Sequence, residues 1–324
     1  MDQRKLIKLG NSSFAIALPK DWVDKSGLKK GDSIIINPNS NGELIIQSQY
    51  KKTNDSNETT LSLEGKKERD INREIIASYI NGDNLINIKL DKKDLGIAKA
   101  ALKNLFGIEI IESNHNLITA KGIIDLSSLS IDSITRRIDN SVRNIIEELE
   151  PLIKKGYLTK KEYEEIVNAN KDVNRSYFLL CRLMVQGVGN PSILNTFKTN
   201  SSSLVYSWVV GLHIKKIGDS LGDLAEALSK NKLKKGEIEY ISKLFEETKE
   251  NFVTCLTAYH LKDKELSFKV TQNKDKTYST CTETNKRSAV REICNIFVRI
   301  QHDIHHIARY IMDFIKPELE RRIK

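Results

Sequence analysis

The chain has 324 residues, a formal net charge of +9, 39% hydrophobic residues and 29% charged residues. At roughly 100–200 residues per domain, this length predicts two or three domains. The 5 prolines and 16 glycines are too few for an all-β sandwich or a Pro/Gly-rich disordered chain, so the composition favours helix. The positive excess is diffuse: residues 1–122 carry 19 Lys/Arg against 16 Asp/Glu, and residues 123–324 carry 33 against 27.

Targeting and redox signals are typical of a cytoplasmic protein. No apolar run approaches the ~18 residues of a membrane-spanning helix, and the first residues lack the apolar stretch of a secretory signal. The four cysteines form no C-x-x-C pair, which predicts reduced thiols. We therefore expect a cytoplasmic protein without membrane insertion.

The first fifty residues predict short strands and turns, at 6–9, 14–18, 33–37 and 43–47, with one helical turn at 21–26. The run 14–18 is apolar throughout, which predicts a strand that is buried on both faces. Pro19 ends this strand because it offers no donor to the ladder. Residues 49–66 are polar and lack a helical period, so they are predicted to be a linker with one short strand at 60–63.

Residues 67–122 predict a small α/β connector with the order α–β–α–β–β. Beyond it, apolar residues recur at a spacing of 3.6 residues. This pattern predicts six long helices with short joins, which form two three-helix bundles: 131–155, 159–186, 203–229, 235–260, 263–282 and 286–315. Thr159 and Glu162 form the capping box that opens the second helix.

Two residue pairs in the helical region are candidates for metal chemistry. Asp219 and Asp223 lie one helical turn apart, and like charges at this spacing repel unless solvent or a cation intervenes. His302 and His306 repeat the spacing with imidazoles, which chelate transition metals through neutral nitrogens. The segments align as K-I-G-D-x-x-x-D-L-A and R-I-Q-H-x-x-x-H-I-A, an internal repeat about 83 residues apart. Each pair alone is equally typical of a solvated helix face, so both interpretations stay open.

The helical region resembles PhoU, a family of phosphate-signalling regulators whose third helices carry R-I-[GA]-D-H-A-x-N-I-A. The segment K-I-G-D-S-L-G-D-L-A-E at 216–226 is close to this motif, and D-V-N-R-S-Y-F-L at 172–179 is similar to the family's second helix. The second copy departs, with His302 and His306 in place of the family's Asp and Asn. The resemblance spans about 123–316 and implies zinc or iron binding, here by Asp219, Asp223, His302 and His306.

The N-terminus resembles the AbrB/SpoVT/MazE family of swapped-hairpin domains. The carrying residues are R-K-L-I-K-L-G-N-S-S-F-A-I-A-L-P-K at 4–20 and G-L-K-K-G-D at 27–32. The resemblance implies a β-barrel interleaved from two copies, so a homodimer through residues 1–50. Residues 1–30 hold seven Lys/Arg against three Asp, which favours DNA as the partner. Candidate DNA-binding residues are Arg4, Lys5, Lys8, Asn11, Ser12 and Lys20.

These features predict a multidomain, mainly α protein: a DNA-binding and dimerisation domain (1–50), a linker (51–66), an α/β connector (67–122) and a PhoU-like helical bundle (123–324). The order of domains is similar to that of an archaeal group of phosphate regulators. We expect a DNA-binding regulator of phosphate uptake whose bundle senses a metal, phosphate state or a partner protein. The alternative is an adaptor that modulates a phosphate transporter or sensor kinase without touching DNA, its head serving only for dimerisation. A metalloenzyme is not expected, because the sequence lacks a Glu-x-x-His motif of the di-iron type on facing helices, a nucleophile elbow and a phosphate-binding glycine loop.

Overall fold

The computed structural model describes residues 3–38, 42–48, 57–125, 129–188, 190–197, 199–272, 277, 279, 281 and 288–314. The chain divides into two compact units, Met1–Ser56 and Asn57–Lys324. The first is hereafter the head. The chain is mainly α, as the sequence predicted.

The head consists of two antiparallel hairpins and one short helix. Its elements are β1 (Ile7–Leu9), β2 (Ser13–Ala15), α1 (Lys20–Lys25), β3 (Ile34–Pro38) and β4 (Leu44–Ser48). β1 pairs with β2, and β3 pairs with β4. Gly10 takes a φ of 68° in the first turn, a conformation that glycine adopts without steric cost. The four predicted strands are therefore present, but the second ends at Ala15 and not at residue 18. Closure into a barrel with a second copy stays a prediction.

One expectation for the head is wrong within the single chain. Residues 14–18 were expected to be buried on both faces, yet Phe14 is 62% exposed and Ile16 is 50% exposed. The reason is architectural, because β2 belongs to a two-stranded sheet and a lone hairpin has no second layer to cover its faces.

The second unit begins with a four-stranded sheet covered by two helices. Its elements are β5 (Glu58–Ser62), α2 (Glu68–Asn81), β6 (Leu85–Lys89), α3 (Leu95–Lys103), β7 (Ile108–Ser113) and β8 (Leu117–Gly122). The strand order is β5-β6-β8-β7, with β5 parallel to β6 and the other pairs antiparallel. Buried apolar side chains of the sheet and both helices, among them Ile75, Ile86, Ile88 and Leu102, form one core.

The predicted linker is corrected at its C-terminal end. The sequence predicted a linker over 51–66 with one short strand at 60–63. The strand is present at Glu58–Ser62, but it is an edge strand of this sheet and not part of a linker; residues 51–56 lie outside the described part of the chain. An edge strand covered on one side needs apolar contact only at alternate positions. Here Thr59 and Leu61 are half-buried, while Glu58, Thr60 and Ser62 are exposed. Because most of its residues are polar, the strand has the composition of a linker.

The remaining chain is helical, as predicted. The helices are α4 (Ile131–Lys155), α5 (Lys160–Gly187), α6 (Pro191–Thr196), α7 (Ser201–Lys230), α8 (Lys235–Leu261), α9 (Lys264–Gln272) and α10 (Ser288–Phe314). Thr159 and Glu162 form the predicted capping box at the start of α5. The short helix α6 was not predicted, and the predicted fifth helix is described over α9 only, because most of 273–287 lies outside the described residues.

The packing of the helices follows the internal repeat. α4, α5 and α7 pack on one another, as do α8, α9 and α10, and contacts of α4 with α8 and of α7 with α10 join the two groups. A continuous core of buried apolar side chains runs through both groups.

A buried arginine attaches the α/β part to the bundle. Arg182 of α5 is only 2% exposed, and its guanidinium donates to four acceptors at the C-terminal end of α2: the main-chain oxygens of Tyr79, Gly82 and Asp83 and the side-chain oxygen of Asn84. Carbonyl oxygens at a helix C-terminus carry partial negative charge. Arg182 therefore supplies hydrogen-bond donors to the carbonyl groups at the end of α2 and holds this end against α5.

Candidate functional site

The six candidate DNA-binding residues all lie on the surface of the head. Arg4 and Lys5 precede β1, Lys8 lies within β1 opposite Phe14 of β2, and Asn11 and Ser12 form the turn between these strands. Lys20 is the first residue of α1. All six residues are exposed. Three of them therefore lie on one hairpin and two shortly precede it. Their ammonium, guanidinium and amide groups have the chemistry to contact phosphates and base edges.

The head also exposes apolar side chains on a scale that is unusual for a folded unit. None of its described residues is buried. The large apolar residues that are at least half exposed are Leu6, Ile7, Leu9, Phe14, Ile16, Ile36 and Leu44. Burying apolar surface gives about 25 cal/mol per Å², and so small a unit lacks a core of its own. This surface is suited to a second copy of the head.

The first candidate metal pair is neutralised by cations of the chain itself. Asp219 accepts hydrogen bonds from Lys215 Nζ and from Asn170 Nδ2, the latter at 3.2 Å. Asp223 accepts from Arg299 Nη2 of α10 at 2.6 Å. A metal ion would have to displace both cations, so the two aspartates do not fit a metal site. The repulsion expected between them is instead relieved by these two ion pairs.

The second candidate pair has the geometry of a two-imidazole chelate. The Nε2 atoms of His302 and His306 are 3.2 Å apart, less than twice the Zn–N bond length of about 2.0–2.1 Å, so one ion can contact both. Burial and the neighbouring imidazoles of His302, His213 and His305 lower the pKa of His306 to about 4. Its ring is therefore neutral at neutral pH, as a metal ligand must be. These two residues fit a transition metal.

Two residues beside this pair were missed by the sequence. His213 of α7 stacks on His306, with ring centroids 5.1 Å apart, and its Nδ1 lies 2.7 Å from Oδ1 of Asp303. Both His213 and Asp303 are buried. Asp303 lies inside the H-D-I-H-H segment, but His213 is 90 residues away and belongs to no motif, so only the packing of α7 on α10 brings it to the site.

The four proposed metal ligands thus do not act as one set. Within the described ranges, no group of three or more histidine, cysteine, aspartate or glutamate side chains is arranged to hold a metal ion. Two imidazoles leave the remaining coordination positions to water or to an added ligand. The sequence proposed two pairs as candidate metal sites. In the described structure the aspartates pair with cations of the chain, the two imidazoles face each other, and metal binding stays a prediction.

Comparison with known proteins gives one family match for the head and one similar solved structure. Residues 7–55 match the family described as "Antidote-toxin recognition MazE, bacterial antitoxin", which confirms the predicted resemblance of the head. No curated protein matches the chain in sequence. Among solved structures, the phosphate transport system regulatory protein PhoU from Streptococcus pneumoniae aligns with 56% of this chain and 89% of that chain, with 14% identity and a TM-score of 0.37.

In the part of the chain that the structure describes, every helix is too short or too polar to cross a membrane.

Proposed function

We propose that this protein is a DNA-binding transcriptional regulator of phosphate homeostasis, dimeric through its head. The observation that carries the proposal is the head hairpin with the residues that lead into it, where Arg4, Lys5, Lys8, Asn11 and Ser12 are all exposed. A dimer built on the exposed apolar residues of the head presents this hairpin twice. Two copies of one reading surface suit a DNA site with two half-sites.

The basic residues and the turn residues have different proposed roles in DNA binding. Arg4, Lys5, Lys8 and Lys20 supply positive charge for phosphates, which gives affinity that depends on salt. Asn11 and Ser12 lie at the tip of the turn, where a short amide or hydroxyl group can reach a base edge and supply specificity.

The helical bundle is the proposed sensor. Its motifs at 172–179 and 216–226 resemble those of phosphate-signalling regulators, and the pair His302–His306 is the proposed site for zinc or iron. When bound, the metal would supply a fixed positive charge at the surface of α10. A ligand that favours one arrangement of the bundle over another shifts the population of DNA-competent protein. This role requires no catalysis.

Fluorescence anisotropy with DNA from upstream of the protein's own coding sequence tests the DNA role. We expect binding at about 50 mM salt that weakens steeply with added salt. Changing Arg4, Lys5 and Lys8 together to glutamine should reduce the slope of log affinity against log salt by about 2–3. The matched control changes Lys92, Lys93 and Lys103, exposed lysines of the α/β part, and should leave the slope unchanged.

The alternative function, an adaptor for a phosphate transporter or sensor kinase, predicts a different result. It predicts no DNA binding even at low salt, and unchanged transcription of phosphate-transport genes in cells that carry the triple head variant. Under our proposal the same variant loses the transcriptional response to phosphate. Absence of DNA binding by the unmodified protein would rule out the regulator in favour of the adaptor.

A further inference from the structure

One end of the helical bundle carries an unusual concentration of lysine. We define the lysine tip as residues 154–161 and 230–236, the junctions of α4 with α5 and of α7 with α8. These two segments hold eight lysines and no aspartate, glutamate or arginine. All eight are exposed: Lys154, Lys155, Lys160, Lys161, Lys230, Lys232, Lys234 and Lys235.

The two segments form one preorganised surface. The Leu158 amide donates to the main-chain oxygen of Leu228 at 3.2 Å, and the Leu233 amide donates to the main-chain oxygen of Gly156 at 2.9 Å. Leu158 and Leu233 are buried beneath the junctions. The loops are thus tied to each other, and little conformational entropy remains to be lost when a partner binds.

A tyrosine lies among these cations. The Tyr157 ring has Lys155 Nζ 4.3 Å and Lys232 Nζ 5.3 Å from its centroid, and it is 36% exposed. An aromatic ring with a polar hydroxyl, flanked by ammonium groups, is suited to the boundary between an apolar layer and water.

Carboxylates beside the tip pair with five of its eight lysines. Glu150, Glu162 and Glu226 bind Lys154, Lys155 and Lys230 at 2.7, 2.9 and 2.5 Å. Glu164 and Glu165 pair with Lys160 and Lys161 at 3.9 and 3.8 Å, but these two lysine side chains are 89% and 87% exposed. Exposed pairs of this kind contribute little free energy. They leave the ammonium groups able to exchange partners when an anionic surface approaches.

We propose that the lysine tip binds the surface of an anionic lipid membrane. Lysine carries a compact, strongly hydrated charge, whereas arginine is the residue favoured for bidentate contacts with nucleic acid phosphates. A patch of lysine alone, with a central tyrosine, matches the diffuse charge of a lipid surface, and clusters of four to eight basic residues are sufficient for such binding. This surface would hold the bundle at the membrane peripherally, independently of the head.

Vesicle co-sedimentation of the full chain tests this assignment. We expect binding to vesicles of phosphatidylcholine mixed with phosphatidylglycerol, no binding to phosphatidylcholine alone, and loss of binding in high salt. Changing Lys160, Lys161, Lys232 and Lys235 together to glutamine should weaken binding about a hundredfold or more. Changing Lys92, Lys93, Lys103 and Lys121 removes the same charge from another exposed surface and should weaken it far less.

Two further variants make the result decisive. Lys160→Gln with Lys161→Gln changes only two side chains that are 89% and 87% exposed, so its loss of binding cannot come from misfolding. The Arg4, Lys5 and Lys8 head variant should keep most vesicle binding. Equal losses in the tip and control variants, or binding that follows the head variant, would overturn the proposal. So would a tip variant that loses DNA affinity while keeping its affinity for vesicles, since the tip would then be a nucleic acid contact.

Discussion

Arg182 donates to the main-chain oxygen of Tyr79 at 2.5 Å. A side chain of the bundle therefore caps the C-terminus of α2 in the α/β part. The guanidinium also lies over the Tyr79 ring, 4.8 Å from its centroid. None of its four hydrogen-bond acceptors is a carboxylate. The charge is therefore held by the dipole of α2 and by neutral oxygens, and the contact joins residues about 100 positions apart.

We expect Arg182→Met to lower the free energy of unfolding by about 3 kcal/mol, because it leaves several buried oxygen atoms without donors. Urea unfolding measures this loss, and hydrogen exchange should show increased opening at the end of α2. Arg309→Met, at an exposed position of α10, should change the stability by no more than about 0.5 kcal/mol. Equal effects of the two substitutions would show that Arg182 does not fix α2.

Acid should weaken a contact between α4 and α8. Lys154 and Lys249 each donate to Glu150 at 2.7 Å, and these bonds lower the pKa of Glu150 to about 2. Because this pKa is below its unfolded value of about 4.5, the stabilisation is complete above pH ~4.5 and is lost as the pH falls towards 2.

Glu150→Gln should therefore cost about 1 kcal/mol near neutral pH, allowing for solvent screening, and the difference from the unmodified protein should shrink in acid. Thermal unfolding across this pH range is the measurement. Glu147→Gln, an exposed position on the same helix, is the control and should show no such convergence. A difference that persists at the lowest pH would contradict the assignment.

Metal binding should depend on the histidines and not on the aspartates. In zinc titration of the metal-free full chain by calorimetry, His302→Ala and His306→Ala should each abolish binding, because a single imidazole is a weak ligand. Asp219→Asn and Asp223→Asn should leave the affinity for zinc unchanged, because their carboxylates are occupied by Lys215 and Arg299. The reverse pattern would place the zinc site on Asp219 and Asp223 and rule out the histidine pair.

Association of the head should depend on its exposed apolar side chains. Phe14→Ser removes one of the largest of these and should raise the dimer dissociation constant about thirtyfold, or about 2 kcal/mol. Sedimentation equilibrium measures the change. Lys30→Ser alters an exposed polar position of the same unit and should have little effect. An unchanged monomer–dimer equilibrium in the Phe14 variant would place the dimer contact elsewhere.

The helices could be predicted because the signals that form each helix lie within its own sequence. The 3.6-residue spacing of α4 and the Thr159–Glu162 cap of α5 are local signals, and both are present in the structure. The place of β5 at the edge of the sheet was not predicted. Most of its residues are polar, and only the pairing with β6 makes them a strand of this sheet. The candidate site follows the same rule. The pair of His302 and His306 could be predicted because these residues are four apart in sequence. The contacts of Asp223 with Arg299 and of His213 with Asp303 could not, because they depend on which helices pack together.

The exposed apolar surface of the head has a consequence for how a cell would use the protein. In the proposed dimer, a unit that buries none of its described side chains in one chain would gain its core by association, and its folding would follow mass action. At low abundance the amount of assembled head would then rise with the square of the chain concentration. Halving the amount of protein would remove about three quarters of the assembled form, and the head would respond to the protein's own abundance more steeply than any monomer can.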